Sequence, residues 1–348
     1  MIVTLILFIL ILGITVLVHE FGHFIFAKMV GVHVYEFSIG MGPVLFKKKG
    51  KDGVQYSIRA IPIGGFVSLA GEEVGVDLTK NEGHNLQDKK VWERFLVMFM
   101  GVGNNFIFAF LVLLLIGFIY GAPDLTPIIS EAPENYPAHI AGIDSGDKVL
   151  KINDRKVTYI DDIQLFLILE GMDEPLTFQV EKQDKTIRTY QVIPEKQISA
   201  DGAESYVLGI TLKTEKERGF IKSIVYAFKQ ECALFKQMFN TIGGLFTGDL
   251  SVNQLSGPVG IYSVVGDAKE QGFNALLYLL ALLSINVGII NLLPLPAFDG
   301  GRILFLIIEK IKGSPVSPKV ENIIHSIGFI LLIILMLYVT FNDILKLF

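Results

Sequence analysis

The 348-residue chain has one cysteine, Cys232, and one tryptophan, Trp92. A lone cysteine excludes an internal disulfide and any cysteine-rich zinc cluster, so Cys232 reads as a packing residue. No basic block points to nucleic acid, and a net charge of −5 identifies no partner. Charge is missing altogether from Met1 to Val18. That run also lacks a basic start and a small-x-small cleavage site, so it is expected to remain as a membrane helix rather than be removed as a signal peptide. With 51% hydrophobic and 19% charged residues, the chain is too apolar for an ordinary soluble enzyme unless its apolar residues are segregated. They are: Ile2 to about Val30, Phe95 to Tyr120, Phe273 to Leu293 and Ile323 to Phe341 are each long enough to cross about 30 Å of hydrocarbon.

The first run ends in His19-Glu20-Phe21-Gly22-His23. Insertion scales charge roughly 2.5–3.5 kcal/mol for an ionised group at mid-helix, and polar groups at that depth usually mark a functional site. The spacing is H-E-x-x-H. Residues i and i+4 share a helix face about 6 Å apart along the axis, so neutral His19 and His23 can both reach one Zn²⁺. Glu20 then stands beside the ion rather than on it, placed as a general base. Such a pattern arises by chance in roughly a few per cent of chains this long. Chance would also have to explain three costly groups inside an apolar helix. The reading is metal-assisted hydrolysis in the plane of a membrane.

A catalytic zinc normally takes three protein ligands. A candidate third lies where the third run ends, in Asn291-Leu292-Leu293-Pro294-Leu295-Pro296-Ala297-Phe298-Asp299-Gly300-Gly301. Two prolines break the helix before Asp299 and two glycines let the chain turn back after it. Irregular backbone at membrane depth is tolerated where it is buried in protein or lines a polar cavity. The plainer alternative is a helix-ending loop with a solvated aspartate.

Lysines and arginines flank the spans unequally. Lys28, Lys47–Lys49 and Lys51, then Lys89, Lys90 and Arg94, then Arg302, Lys310, Lys312 and Lys319 place those loops in the cytoplasm. The N-terminus, the 121–272 region and the tail are then expected outside, with His19 and His23 toward the cytoplasmic side. Within 31–94, Val54–Leu69 reads as strands with a turn, preceded by a glycine-rich piece, Phe37–Phe46. This is either a small sheet without a chemical role or a sheet edge that can pair with an extended substrate. Residues 71–88 read as an acidic loop. Residues 122–214 read as a soluble domain: strands at Lys148–Ile152, Leu176–Glu181, Arg188–Ile193 and Tyr206–Leu212 surround a helix at Ile160–Leu169, with turns at Asn153-Asp154 and Asp201-Gly202. Residues 216–246 carry Phe220, Ile224, Phe228, Phe235 and Phe239 at helical spacing. They form an amphipathic helix that lies on the membrane or packs on the domain.

Taken in order, VHEFGHFIFAK, YSIRAIPIGGFV, GVGNNFIFAF, GPVGIY and NVGIINLLPLPAFDGGR resemble the site-2 protease family of intramembrane zinc metalloproteases, in its bacterial branch with a PDZ domain. The resemblance covers nearly the whole chain. It implies zinc on His19, His23 and Asp299, one ion per chain, with Glu20 as general base. It implies that Asn105, Asn286, Asn291, Pro294 and Pro296 serve substrate handling. Phe298 stands where the family usually has leucine, and Gly101-Val102 where it usually has Gly-Pro; both touch local packing only. PAHIAGIDSGDKVLKIND (137–154) is similar to the family's PDZ run. Tyr206, Val207, Leu208, Gly209 and Ile210 are then candidates for pairing with a peptide C-terminus, the alternative being a plain core strand.

The expected protein is a polytopic α-helical membrane protein of about four spans, with a membrane-associated β-hairpin region and one inserted PDZ-like α+β domain. Its segments are 1–30 (first span), 31–94 (β region), 95–121 (second span), 122–214 (extracytoplasmic domain), 215–272 (amphipathic helix and linker), 273–322 (third span and Asp-Gly loop) and 323–348 (fourth span and tail). The resemblance implies cleavage of single-span membrane proteins, of anti-sigma-factor or remnant-signal-peptide type, after an upstream site-1-type protease has trimmed them, in the cell membrane. Two other readings compete. A catalytically silent PDZ scaffold would show decay of the His-Glu-His-Asp set, which is intact. A metal transporter would string polar groups along a path, whereas here they cluster at one depth.

Overall fold

A computed structural model describes residues 1–72, 78–171, 174–198, 204–213 and 215–346. The chain forms two compact units, Met1–Val112 with Asn253–Phe348, and Leu113–Val252.

The first unit begins with α1, Ile2–Met29, which carries the H-E-x-x-H segment in its C-terminal half. Two long strands follow, β1 (Val34–Lys49) and β2 (Gln55–Leu69). They pass four times through one sheet, antiparallel except where residues 36–39 and 55–58 run side by side in the same direction. Residues 34–39 lie between 65–69 on one side and 55–58 on the other, and 44–49 close against 55–59. One edge is therefore 65–69, and the expected hairpin is a doubled one. Val34, Val54, Val67 and Leu69 bury against Phe24 and Ala27 of α1, which fixes this edge beside the helix. A Cβ on Gly13 would lie 3.3 Å from the Pro62 carbonyl, so the sheet reaches the middle of α1. Residues 78–81 and 86–88 form short 3₁₀ turns where an acidic loop was expected.

Helix α2, Val91–Tyr120, leads to the second unit, which holds β3 (Ala122–Pro123), β4 (Ile129–Glu131), α3 (Pro137–Ile140), β5 (Lys148–Ile152), β6 (Arg155–Lys156), α4 (Ile160–Glu170), β7 (Leu176–Glu181), β8 (Ile187–Val192), β9 (Glu195–Ile198), β10 (Glu204–Val207), β11 (Thr211–Leu212), β12 (Lys216–Glu217) and α5 (Phe220–Thr247). Its main sheet is antiparallel in the order β6-β5-β7-β8. Alternating inward residues of β7, Leu176, Phe178 and Val180, make the core with Val149 and Ile152 of β5, whose register shifts between them, and with Ile163 and Phe166 of α4. The expected single strand at 206–212 is two short ones, because the backbone turns at Gly209 with φ +74°. The Asp201-Gly202 turn lies outside the described residues. Helix α5 packs on α4 through Gln230, which donates to Asp161 at 2.5 Å, and Lys236, which pairs with Asp162 at 2.7 Å.

The chain returns to the first unit with α6 (Pro258–Gln271), α7 (Phe273–Leu292), α8 (Asp299–Lys312) and α9 (Pro318–Leu345). Helix α6 was not anticipated; its N-terminus receives a carboxylate from α9, the Gly260 N–H donating to Asp343 Oδ2 at 2.8 Å. Helices α1, α2, α7 and α9 are long and apolar enough to cross a membrane. The chain is a multi-pass membrane protein. Asp299 opens a helix rather than sitting in an open loop. Gly300 makes this possible: a Cβ there would fall 2.1 Å from the Leu293 carbonyl, so α8 can start directly on the backbone that ends α7.

Candidate active site

On α1, His19 and His23 fall on one face, and a third group meets them from 276 positions along the chain. Asp299 Oδ2 lies 3.0 Å from His19 Nε2 and 3.2 Å from His23 Nε2, and the two Nε2 atoms are 3.2 Å apart. Ligands about 2.0–2.1 Å from a tetrahedral ion stand roughly 3.3–3.4 Å apart, so the triangle matches a zinc site with slight contraction. Asp299 Oδ2 is buried without a hydrogen-bond partner, and a buried orphan acceptor between two imidazole nitrogens fits a cation.

The outer contacts orient these donors. His23 Nδ1 donates to the Val97 carbonyl of α2 at 2.9 Å, leaving the Nε2 lone pair free for a metal. His19 Nδ1 lies 3.4 Å from the Asn105 amide. A metal on Nε2 requires a proton on Nδ1 and hence an acceptor. The Asn105 Oδ1 is buried and unpartnered, and exchanging the two ends of that amide satisfies both groups. Asn104 Nδ2 donates to the Val18 carbonyl at 2.5 Å, and Ser284 Oγ of α7 donates to the Asn105 carbonyl at 3.0 Å. The helices meet closely because of glycine. A Cβ on Gly22 would fall 2.0 Å from the Met100 carbonyl oxygen, and one on Gly101 would fall 2.2 Å from His23 Nε2.

Glu20 points to the sheet. Its Oε2 accepts the Val67 N–H at 3.0 Å, and this N–H faces away from β1 on the free edge. Leu69 N–H, on the same edge, points to Glu72 Oε2 at 3.4 Å, and Glu72 pairs with Arg302 of α8. A cavity of about 210 Å³ holds His19, Glu20, His23, Asn291 and Asp299; a neighbouring one of about 370 Å³ runs along Phe66–Leu69. Val67, Leu69, Glu72 and Arg302 line both. The edge is thus a wall of the site and not a remote sheet.

Of the residues named from sequence, the structure brings together His19, Glu20, His23, Asp299, Asn105 and Asn291. Asn286, Pro294 and Pro296 are not among the residues lining this cavity. In the second unit Leu208 is a core residue whose carbonyl accepts the Ala138 N–H at 3.0 Å, and a Cβ on Gly209 would fall 2.0 Å from Tyr136 Cβ. Val67, Val97, Glu72 and Arg302 were missed. The first two act through backbone atoms, which have no residue-type signature.

The family model of peptidase family M50 matches residues 7–335, which include both the α1 segment and Asp299. The chain belongs to peptidase family M50, the site-2 proteases. It is 34% identical to the "Probable protease eep" of Enterococcus faecalis and 32% identical to the zinc metalloprotease RasP of Shouchella clausii, in each case over 99% of both chains. The M50 chain is a metalloprotease of a membrane, and zinc is its metal.

Proposed function

We propose that this chain is an intramembrane zinc endopeptidase that cuts transmembrane segments of single-span proteins. His19, His23 and Asp299 hold the zinc and Glu20 is the general base. The observation that carries the reading is the meeting of three metal donors at 3.0–3.2 Å, two of them on the apolar helix α1 roughly 9–15 Å from its C-terminal end and the third at the start of α8. Zinc, when bound, polarises the scissile carbonyl and lowers the pKa of the attacking water to about 7. The chain's own residues do the rest. Val97 and Asn105 keep both imidazoles in the ligating tautomer. Glu20 takes the proton from the attacking water and returns it to the leaving amine.

A helical substrate hides its carbonyls in its own hydrogen bonds and must unwind to be cut. An unwound segment adding as a strand to the 65–69 edge would take over the outward Val67 and Leu69 N–H groups from the Glu20 and Glu72 carboxylates that accept them here. Asn291 faces the same cavity and serves the freed backbone groups. Asn286, Pro294 and Pro296 act less directly, by shaping the end of α7. The far end of the sheet exposes Met41, Val44, Leu45, Phe46, Ile58 and Ile61, which supports a sheet dipped into lipid. Helix α5 exposes Ile221, Ile224, Phe228, Phe239 and Phe246, as an interfacial helix does.

The flanking lysines and arginines put the zinc toward the cytoplasm and the PDZ-like 122–214 domain outside. That domain controls access: it bars substrates whose ectodomain has not been trimmed by an upstream protease. Strand pairing by Tyr206–Ile210 is the second reading, weakened by the burial of Leu208. Anti-sigma factors and remnant signal peptides fit as substrate classes, in the cell membrane. The test is reconstitution with a trimmed single-span substrate. Glu20→Gln should keep zinc and lose cleavage; turnover within a few-fold of wild type would remove Glu20 from the mechanism.

A further inference from the structure

Asp299 is delivered by a loop that does not hold itself. Residues 293–298 carry few internal bonds. Leu295 N–H reaches the Leu293 carbonyl at 2.6 Å, and Phe298 N–H reaches the Leu295 carbonyl only at 3.4 Å. Two residues before Asp299, Ala297 has φ +77°. Alanine has no polar side chain to stabilise that left-handed backbone and adopts it only under tertiary constraint. The constraint comes from α9. Ala297 N–H donates to His325 Nδ1 at 3.0 Å. The acceptor role leaves the imidazole proton on Nε2, toward Glu321 Oε1 at 3.9 Å. The Phe305 ring of α8 backs the imidazole at 5.5 Å. One turn further along the same face of α9, Gly328 lets Pro296 sit against the helix; a Cβ there would fall 2.2 Å from Pro296 Cβ.

We propose that His325 is a positioning residue for the metal site: it fixes the 294–299 loop in the strained turn that brings Asp299 to His19 and His23. The proposal rests on reading those three residues as the zinc ligands. It explains why an alanine is tolerated in a left-handed turn beside a ligand. It also assigns a site-directed role to a helix otherwise exposed along most of its length. His325 has no contact with the substrate cavity among the described residues, so it acts through the loop and performs no chemistry.

The experiment is zinc retention by the purified full-length protein in detergent, titrated with a competing chelator. His325→Leu removes the acceptor and should weaken zinc roughly 10–100-fold, as loss of an outer-shell partner does. His325→Asn carries an oxygen where Nδ1 was, two bonds beyond Cβ, and should bind nearly as tightly as wild type. His325→Gln places its oxygen too far and should resemble the leucine variant. Ala297→Gly in the His325→Leu background should recover part of the loss, because glycine holds a positive φ without strain. His19→Ala is the control on the ligand reading. If His19→Ala binds zinc like wild type, that reading itself fails. If His19→Ala loses zinc while His325→Leu retains wild-type affinity, only the positioning proposal is overturned. Should the leucine variant fail to fold, equal affinities of the asparagine and glutamine variants overturn it instead.

Discussion

Gly101→Ala places one methyl group against the proposed metal site without replacing a ligand. Built on the existing backbone, the new Cβ lies 2.2 Å from His23 Nε2, 2.4 Å from Cε1 and 2.8 Å from Cδ2. Ordinary contact begins near 3.4 Å, so the ring edge must retreat by about 1.2 Å, whereas metal–ligand distances tolerate only about ±0.2 Å. The ring cannot rotate freely either, because Nδ1 is tied to the Val97 carbonyl. Overpacking of this kind costs about 1–3 kcal/mol of stability, which a folded membrane protein survives. Loss of the Nε2 position should lower zinc affinity at least 10–100-fold. Gly103→Ala is the matched control: its Cβ meets the flexible Met100 side chain at 3.1 Å and the Phe99 ring at an ordinary 3.7 Å. Metal content and substrate cleavage are measured for both in parallel. The expected result is a folded, zinc-poor, inactive Gly101→Ala and a near-normal Gly103→Ala. Full zinc occupancy and wild-type cleavage in Gly101→Ala would refute the geometry assigned to His23.

Three further outcomes follow from single contacts. Val67→Pro removes the amide that holds Glu20 while sparing the bonds to β1, since proline is tolerated where the N–H faces outward. Cleavage of a transmembrane substrate should fall with zinc content unchanged, and wild-type cleavage would exclude the edge from catalysis. Asp343→Ala removes the carboxylate at the start of α6 and should cost about 1 kcal/mol, read as a lower unfolding midpoint at unchanged zinc content; an unshifted midpoint would make the contact incidental. Burial pushes the Glu231 carboxyl on α5 up to about 7, from an ordinary 4.5. The folded state therefore holds the extra proton, so this group's contribution is most favourable below about 4.5 and is lost as pH rises through 7. Hydrogen exchange of α5 in the full-length protein should quicken from pH 6 to pH 8 more steeply in wild type than in Glu231→Gln, after correction for the intrinsic rate; equal slopes would sink the assignment.

How much of this was legible depended on whether the information resided in side chains of fixed type. His19, Glu20 and His23 announce themselves by helical spacing inside an apolar run, and Asp299 by the prolines and glycines around it. Helix α2 starts four residues before the expected Phe95 and α9, Pro318–Leu345, overruns the expected 323–341 at both ends, whereas the first and third spans and β5, β7 and α4 followed within about a residue. The doubled sheet did not, because a two-residue alternation cannot say that residues 34–39 pair on both sides. The split at Gly209 and the early start of α8 at Asp299 depend on close backbone approaches that composition cannot report. His325, Asp343, Val67 and Val97 matter through partners 28 to 83 positions away in the chain, and only the folded chain brings those together.

The central claim is that one zinc is held by two imidazoles of α1 and one carboxylate of α8. Zinc K-edge absorption on the purified, metal-loaded protein tests it directly. The account predicts nitrogen and oxygen neighbours alone at about 2.0–2.1 Å, two of them imidazoles, with the signal lost or rearranged in Asp299→Ala. A sulfur neighbour near 2.3 Å, or an identical spectrum at full occupancy in Asp299→Ala, would contradict it.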